Sequence, residues 1–349
     1  MGLVKRMPVW FTILIVAMYC SLAAFAAFAE KKVLILSSHN TSIYEDTRIL
    51  FKYHLASHDS DLTTIHTVVL SESENYDDKV SHFSHAYDAI LTLGIDAAKK
   101  AFLLSTNTPI VSVLIPKLAY SKLRKLEAKR LESEFDKFRT GIFLDQPFQR
   151  QLALAHFIDS RSEIAVFGES INSAAHSSID KCFRPSRDDS FKKISVYHQS
   201  MSIKAIPTAL DSTGIVVATP LFIKKMADNA KWLLYMAYQR NIPVIGYSPA
   251  LVKAGAVAAV SSTADNIGQE AAEIINQILQ SPRYPNIQAR YPKYFSVHLN
   301  QRVAKSLGYV SLSVAELEKD LANLEASCNE STYPNKKQPK QRMTQLNNE

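Results

Sequence analysis

The residue patterns that serve nucleophilic catalysis and nucleotide binding are almost absent from this sequence. Ser178-Ile-Asp-Lys181 fits the Ser-x-x-Lys pattern, but the Lys-Thr-Gly and Ser-Asp-Asn motifs that accompany it in acyl-transfer enzymes do not occur. Gly246-Tyr-Ser248 does not complete a Gly-x-Ser-x-Gly nucleophile elbow, and there is no Gly-x-Gly-x-x-Gly motif or phosphate-binding P-loop. The sequence therefore predicts a protein that is not an enzyme and that needs no cofactor.

Histidines supply the other candidate chemistry, because six of the ten lie between His39 and His85. His54-x-x-x-His58 and His82-x-x-His85 each place two imidazoles on one helix face, which is a zinc-ligand geometry. Each pair would need further ligands, and no Cys-x-x-Cys motif or histidine-rich tract supplies them. We therefore expect polar helix faces and no metal site.

Short polar side chains follow several apolar runs and form the candidate binding site. Hydroxyl and amide groups, together with the N–H groups at helix starts, suit a small polar or zwitterionic ligand. The candidate ligand-binding residues are Ser38, Asn40, Gly94, Asn172, Ser173, Thr219 and Ser248. Tyr44, Phe222 and Tyr247 are candidate walls of the site. The alternative for each polar residue is a helix cap or a turn.

Alternating strands and helices must position these loops. Residues 32–37 (KVLILS) form a short apolar run that is typical of a buried strand, and about ten such runs alternate with helical segments. This spacing predicts βαβ units, arranged as two doubly wound parallel-sheet lobes, with ligands beyond the carboxyl ends of the strands. The charged segment 118–138, which includes Glu127, predicts a helix with a solvated face.

Composition and charge argue against a nucleic-acid partner. The chain has 349 residues, 47% hydrophobic and 21% charged, and a formal net charge of +7. The segment 1–29 has a basic start, an apolar run and an Ala-Phe-Ala end, which predict a signal peptide cleaved near Ala29. An uncleaved membrane anchor is the alternative. Loss of this segment and of the basic tail leaves a nearly balanced body, so we expect no nucleic-acid binding.

Two cysteines remain in the predicted mature protein, and its C-terminus is polar. Cys182 and Cys328 could pair in an oxidising compartment, or they could remain separate thiols. Residues 327–349 are polar and irregular, which predicts a disordered tail.

Four segments resemble one protein family. They are residues 140–154 (TGIFLDQPFQRQLAL), 237–259 (AYQRNIPVIGYSPALVKAGAVAA), 266–273 (NIGQEAAE) and 297–308 (VHLNQRVAKSLG). They resemble substrate-binding proteins of ABC transporters, in the branch that contains tryptophan/tyrosine-type binders. Glu169-Ser-Ile-Asn172-Ser173 is similar to an acidic-and-Asn/Ser motif of that family.

The resemblance implies the type I periplasmic-binding fold, with two lobes joined by three crossovers. Lobe one would be residues 30–140 plus 250–284, and lobe two residues 141–249 plus 285–326. The implied function is a monomeric periplasmic protein that captures a small polar or amino-acid-like ligand in an inter-lobe cleft. Its partner would be the membrane permease of an ABC importer. The alternatives are a periplasmic sensing module that signals to a membrane receptor, and an exported hydrolase.

Overall fold

The computed structural model describes residues 30–58, 63–72, 86–104, 107–130, 138–160, 162–168, 194–198, 204, 206–220, 227–281 and 285–332. The predicted signal peptide and Cys182 lie outside these ranges, so the leader and the disulfide stay predictions. The chain divides into two compact units. Unit 1 comprises Met1–Asp145 and Ser262–Phe295, and unit 2 comprises Gln146–Ser261 and Ser296–Glu349. Among the described residues, no helix combines the length and apolar character needed to cross a bilayer.

Unit 1 is built on a parallel sheet of five strands. They are β1 (Lys31–Ser37), β2 (Thr63–Val69), β3 (Ala89–Leu93), β4 (Ile110–Ile115) and β5 (Arg139–Phe143), in the order β2-β1-β3-β4-β5. Its helices are α1 (Ser42–His58), α2 (Ile95–Leu103), α3 (Lys117–Arg130) and, after the chain returns from unit 2, α8 (Ala264–Gln280). A 3-10 turn, Leu70–Glu72, follows β2.

The strands of unit 1 are apolar because helices cover both faces of the sheet. Every residue of β3 and β4 is buried, and so are the last five residues of β1. One face packs against α1 and α8 through residues such as Phe51 and Ile275. The other packs against α2 and α3 through Phe102 and Tyr120.

Unit 2 is built on a six-stranded sheet. Its strands are β6 (Ile164–Gly168), β7 (Ile194–His198), β8 (Ile215–Ala218), β9 (Val244–Gly246), β10 (Ala258–Ser261) and β11 (Ser296–Leu299), in the order β11-β10-β9-β8-β6-β7. Its helices are α4 (Phe148–Ile158), α5 (Ile206–Leu210), α6 (Ala227–Gln239), α7 (Pro249–Ala254), α9 (Gln301–Ser306) and α10 (Val314–Thr332).

Both units repeat one strand order, which confirms the predicted pair of doubly wound lobes. In each, the first parallel strand lies between the second and the third, so the order reverses at β1/β3 and at β6/β8. Ligands of open α/β sheets bind at such reversals, beyond the carboxyl ends of the strands. The added strand β11 is antiparallel to β10, because the chain returns at Ser296 directly opposite Ser261, the last residue of β10.

The chain passes between the units 5 to 12 residues later than the sequence predicted. The observed divisions follow Asp145, Ser261 and Phe295. The first moves because β5 pairs with β4 and completes the sheet of unit 1. The second moves because β10 pairs with β9 in unit 2. The third moves because Arg290 pairs with β5 of unit 1: its N–H donates to the Gly141 carbonyl and its carbonyl accepts from the Phe143 N–H, at 2.9 Å each.

The C-terminal helix corrects part of the predicted disordered tail. Helix α10 continues through Thr332, so residues 327–332 are helical, while residues 333–349 lie outside the described part of the chain. The helix contains no glycine or proline, and Pro334 follows it closely. A proline disfavours helical backbone at the residue before it. Arg150 of α4 ties α10 to unit 2, because its Nη2 donates to Glu325 Oε2 at 2.8 Å.

The predicted solvated face of α3 is wrong at Glu127, which is only 5% exposed. The Nε of Arg139 on β5 donates to Glu127 Oε1 at 2.8 Å, and Arg124 also pairs with this carboxylate. Glu127 is buried because the neighbouring strand brings a fully buried guanidinium against it. Sequence spacing within one helix does not show this contact.

Tyr120 on α3 allows a test of the buried face of unit 1. Its side chain is 5% exposed, and its hydroxyl has no hydrogen-bond partner among the described residues. Burial raises the pKa of Tyr120 to about 12 from the ordinary 10, because the phenolate is poorly solvated there. We expect Tyr120→Phe to stabilise the protein by about 1 kcal/mol at neutral pH, since it removes an unsatisfied buried hydroxyl.

The same substitution has an expected pH signature. Because the pKa of Tyr120 is higher in the folded state than in the unfolded chain, deprotonation favours unfolding. The contribution of this pKa difference to stability is fully present below pH 10 and is lost as the pH rises toward 12. Urea denaturation at neutral pH and near pH 11 should therefore show the advantage of Tyr120→Phe growing by about 1 kcal/mol. Tyr53→Phe is the control, because Tyr53 is 69% exposed. An advantage that does not change with pH would contradict the burial argument.

Candidate functional site

Ser38 and Gly94 meet at the strand-order reversal of unit 1, where β1 and β3 end. The Ser38 N–H donates to the Leu93 carbonyl at 2.9 Å. Its Oγ is buried and accepts a hydrogen bond from the Ala97 N–H at 2.9 Å, in the first turn of α2. The serine thus connects the two strand ends and satisfies one helix-start N–H. Its hydroxyl hydrogen can still be donated to a ligand.

Gly94 makes room for two side chains. Its φ of +89° and ψ of 174° belong to a region that is essentially restricted to glycine. A Cβ at this position would lie 2.6 Å from Ser38 Oγ and 2.8 Å from the Tyr44 hydroxyl. The missing side chain of Gly94 therefore leaves the space that the Ser38 hydroxyl and the Tyr44 ring occupy.

Tyr44 borders the site together with His39 and Asp96, neither of which is among the predicted ligand-binding residues. The His39 ring lies edge-on to Tyr44 at 5.5 Å between centroids, and His39 Nε2 is 4.0 Å from Asp96 Oδ2. Burial, and to a lesser degree the Asp96 carboxylate, raises the pKa of Tyr44. The phenol therefore remains neutral at physiological pH. Asp96 lies three residues after β3, in the first turn of α2, and this position could have signalled it.

Asn40 lies on the same loop but is exposed. Its Oδ1 accepts a hydrogen bond from Arg48 Nη2 at 3.1 Å, and Arg48 also pairs with Glu45. The structure therefore gives the side-chain oxygen of Asn40 a local partner on α1.

Four aliphatic side chains also follow strands of unit 1 and are 43–56% exposed: Ile43, Ile95, Leu118 and Leu144. Each lies within two residues of a helix start or a strand end. Because β1, β3, β4 and β5 are neighbouring parallel strands, these residues share one edge of the sheet. Apolar, aromatic and hydrogen-bonding groups at one edge can bind an amphipathic small molecule without covalent chemistry.

Thr219 occupies the corresponding reversal of unit 2, directly after β8. Its N–H donates to the Phe167 carbonyl of β6 at 3.0 Å, which places it between the two strand ends. Its Oγ1 is buried and has no hydrogen-bond partner within the described residues. Asn172, Ser173 and Phe222 lie outside the described residues, so their part in this site stays a prediction.

Ser248 serves as a helix cap. Its Oγ accepts from the Leu251 N–H at 3.4 Å, and it begins α7 with Pro249 in the first turn. Tyr247 is half-buried against the core of unit 2, and burial raises its pKa. Both residues follow β9, at the same edge as Thr219.

Of the two predicted histidine pairs, the structure describes His54 and His58. His54 Nε2 lies 2.8 Å from Asp265 Oδ1 at the start of α8, while His58 ends α1. His82 and His85 lie outside the described residues. No group of three or more potential metal ligands occurs within the described ranges.

A cavity of about 510 Å³ lies in unit 2, away from these residues. It is lined by His156, Phe157, Ile158, Asp159, Ser160, Gly308 and Tyr309. The lining segment 156–160 precedes β6, so the cavity lies at the amino ends of the parallel strands. Tyr309 and Ser162 both donate to Asp159 Oδ2, at 3.1 and 2.6 Å, which ties the cavity wall together. It is therefore separate from the candidate site.

One family model matches about a third of the chain. Residues 194–315 match the family model of ABC transporter substrate binding proteins. No curated protein matches the chain significantly.

Solved structures match over most of the chain. One is the ligand-free, open form of CD0873, a substrate binding protein with adhesive properties from Clostridium difficile. It has a TM-score of 0.60 and 14% identity, over 81% of this chain and 96% of that one. This is the type I periplasmic-binding fold. A mutant of the XylFII-LytSN complex matches with a TM-score of 0.51 and 13% identity, over 79% of this chain and 99% of that one.

Proposed function

We propose that this protein is a substrate-binding protein of an ABC importer. The observation that carries the proposal is the pair of strand-order reversals, each bordered by a hydroxyl side chain: Ser38 in unit 1 and Thr219 in unit 2. The hydroxyl of Thr219 is buried without a partner in the described residues, and such groups are rarely left unsatisfied. A bound ligand would satisfy it. The family match over residues 194–315 and the fold support the same assignment.

The proposed ligand is a small polar or amino-acid-like molecule. Ser38, Asn40 and Thr219 would donate or accept hydrogen bonds, and the same role is proposed for Asn172, Ser173 and Ser248. Gly94 would act by letting Tyr44 form a wall. The resemblance of residues 237–259 to tryptophan/tyrosine-type binders favours an amphipathic ligand, and the exposed aliphatic residues that follow β1, β3, β4 and β5 support this choice.

The proposed location and partner follow from the same reasoning. The signal-peptide pattern at residues 1–29 supports export to the periplasm, where a monomer would deliver its ligand to a membrane permease. Binding would proceed by noncovalent capture without a cofactor. A closed, ligand-bound state would gain population because the ligand makes more contacts in it.

The second candidate function is a periplasmic sensing module that signals to a membrane receptor. It is favoured by the match to XylFII-LytSN, because that neighbour was solved as a complex. The genes beside the coding sequence distinguish the two functions. Permease and ATPase genes would support import, whereas a sensor kinase or cyclase gene would support signalling.

Thermal unfolding of the purified protein tests ligand binding. The probes are the twenty L-amino acids, common pentoses and hexoses, and myo-inositol, each at about 1 mM. A ligand at 100 times its Kd stabilises the folded state by about 2.7 kcal/mol, which raises Tm by roughly 5–10 °C for units of this size. A folded sample that responds to none of these probes would count against the proposal.

A matched pair of variants tests the site with whichever probe raises Tm. Thr219→Val keeps the side-chain shape but removes the hydroxyl, and should weaken binding by about tenfold. Thr213→Val is the control, because Thr213 precedes β8 at the opposite edge and its Oγ1 donates to the Ala209 carbonyl at 2.7 Å. Equal losses in both variants would show that Thr219 does not contact the ligand.

A further inference from the structure

The helices α2 and α3 carry a concentrated positive charge over one face of the sheet of unit 1. Helix α3 contains six lysine and arginine residues and a single acidic residue, Glu127. Helix α2 contains two lysines and a single acidic residue, Asp96. A basic helix with exposed apolar residues is typical of a surface that binds an anionic partner.

The two helices form one continuous outer layer. Both pack on the same apolar cluster, where the ring centroids of Phe102 and Tyr120 lie 5.8 Å apart. Because this contact fixes the inner faces, the outer faces of α2 and α3 lie side by side. Side chains spaced three or four residues apart share one face of a helix. Five exposed residues of these outer faces form the basic surface: Lys99 and Leu103 on α2, and Lys122, Lys125 and Leu126 on α3.

The acidic side chains of the two helices do not compensate this charge. Glu127 is 5% exposed, and its carboxylate is already paired with two arginines. Asp96 lies in the first turn of α2, at the strand-end edge that carries the candidate site. Among the described residues, no carboxylate forms an ion pair with Lys99, Lys122 or Lys125. The three ammonium groups can therefore contact a partner outside the chain.

Two exposed leucines lie among these lysines and bear on the kind of partner. Leu103 is 50% exposed and Leu126 is 63% exposed. Leucine adds nothing to the attraction between lysine and an acidic protein. At a bilayer, its side chain can enter the acyl-chain boundary while the lysine ammonium groups stay at the level of the headgroups. Interleaved leucine and lysine therefore favour a lipid partner over an acidic protein.

We propose that the basic surface of unit 1 binds the anionic headgroups of a phospholipid bilayer. Its lysines contact the lipid phosphates, and Leu103 and Leu126 enter the acyl-chain boundary. Each lysine near an anionic membrane surface strengthens binding about fivefold, and salt screens this attraction. The contact is therefore reversible and holds unit 1 at the membrane. This inference goes beyond the proposed function and does not depend on the ligand.

Flotation with lipid vesicles tests the inference. The protein is the predicted mature chain, residues 30–349, because it contains every described element and lacks the apolar segment 1–29, which would itself enter a bilayer. It should bind vesicles of phosphatidylcholine with about 30% phosphatidylglycerol, but not vesicles of phosphatidylcholine alone. Raising NaCl from about 50 to about 500 mM should release it. A parent protein that does not bind the anionic vesicles at low salt would overturn the inference.

A pair of lysine variants tests which charges bind. Lys122→Gln with Lys125→Gln should weaken binding to the anionic vesicles by roughly 25-fold. Its Tm should stay within about 2 °C of the parent, because both side chains are exposed and glutamine is a good helix former. Lys336→Gln with Lys337→Gln is the matched control, since it removes the same charge from the basic C-terminal tail. A loss in this control equal to that of the first pair would show that the basic surface is not the binding surface.

A leucine variant distinguishes a lipid from an acidic protein as the partner. Leu126→Ala should weaken vesicle binding about fivefold, because fewer methylene and methyl groups enter the bilayer. Ile49→Ala is the control, because Ile49 is 55% exposed on α1, at the opposite face of the same sheet. Equal affinities of Leu126→Ala and the parent would overturn the lipid assignment in favour of an acidic protein. A protein that binds the vesicles but responds to no probe in thermal unfolding would contradict only the proposed function.

Discussion

Replacing Gly94 by alanine is expected to lower the free energy of unfolding by about 3 kcal/mol and to remove ligand-induced stabilisation. The added Cβ would meet Ser38 Oγ at 2.6 Å, and Tyr44 at 2.8 Å (hydroxyl) and 2.9 Å (Cε1). Both side chains would have to move, and Ser38 would lose its bond to the Ala97 N–H. The φ of +89° adds backbone strain for any residue with a Cβ. Urea denaturation and the ligand panel measure the two effects.

Gly255→Ala is the matched control for this prediction. Gly255 also has a positive φ, +128°, but a Cβ there would meet nothing within 4 Å. Its cost, about 1–2 kcal/mol, is the backbone strain alone. If Gly94→Ala costs no more than Gly255→Ala, the contact with Ser38 and Tyr44 does not matter. In the double variant with Tyr44→Ala, part of the loss should be recovered, because the displaced ring is gone.

The second large effect is expected at the buried ion pair of unit 1. Glu127→Ala should destabilise the protein by about 3–5 kcal/mol, because it leaves the guanidinium of Arg139 buried without its carboxylate. The Arg139 side chain is fully buried, and burial lowers its pKa, although Glu127 opposes that shift. Arg139 also donates to the backbone carbonyls of Thr108 and Leu104, at 3.3 and 3.5 Å. Urea denaturation monitored by circular dichroism measures the loss.

An exposed ion pair provides the comparison. Asp211→Ala breaks a 3.7 Å contact with Arg240, whose side chain is 30% exposed while that of Asp211 is 68% exposed. We expect this change to cost less than 1 kcal/mol, because exposed pairs contribute little. Replacing Glu127 and Arg139 together by leucine and methionine should restore most of the stability. Equal costs for Glu127→Ala and Asp211→Ala would contradict the burial argument.

The alternation of strands and helices could be predicted because it follows from local patterns. The apolar run of β1 needs no partner to be recognised as a buried strand, since its burial on both faces excludes polar residues. The candidate residues Ser38, Gly94, Thr219 and Ser248 were found because each follows a strand, and parallel strands bring their carboxyl ends to one edge. The type I periplasmic-binding fold followed from the resemblance of residues 140–154 and 237–259.

The role of each candidate residue could not be predicted, because it depends on contacts between distant segments. Ser38 bonds to Ala97, 59 residues away, and Gly94 faces Tyr44 on another helix. Glu127 carries the same charge as its solvated neighbours in the sequence, and only the position of Arg139 on β5 buries it. The divisions between the units shifted for the same reason, since strand pairing decides where β5 and β10 belong.

Local patterns in the amino-acid sequence were enough to predict the α/β fold class and the strand ends that carry polar residues. They could do so because hydrophobic period and residue type act over a few neighbouring positions. The contacts between distant segments show that Ser38 accepts from a helix-start N–H of α2, that Ser248 caps α7, and that Gly94 makes space for Tyr44. Those outcomes depend on which backbone comes within 3 Å of a side chain, and only the packed chain sets that distance.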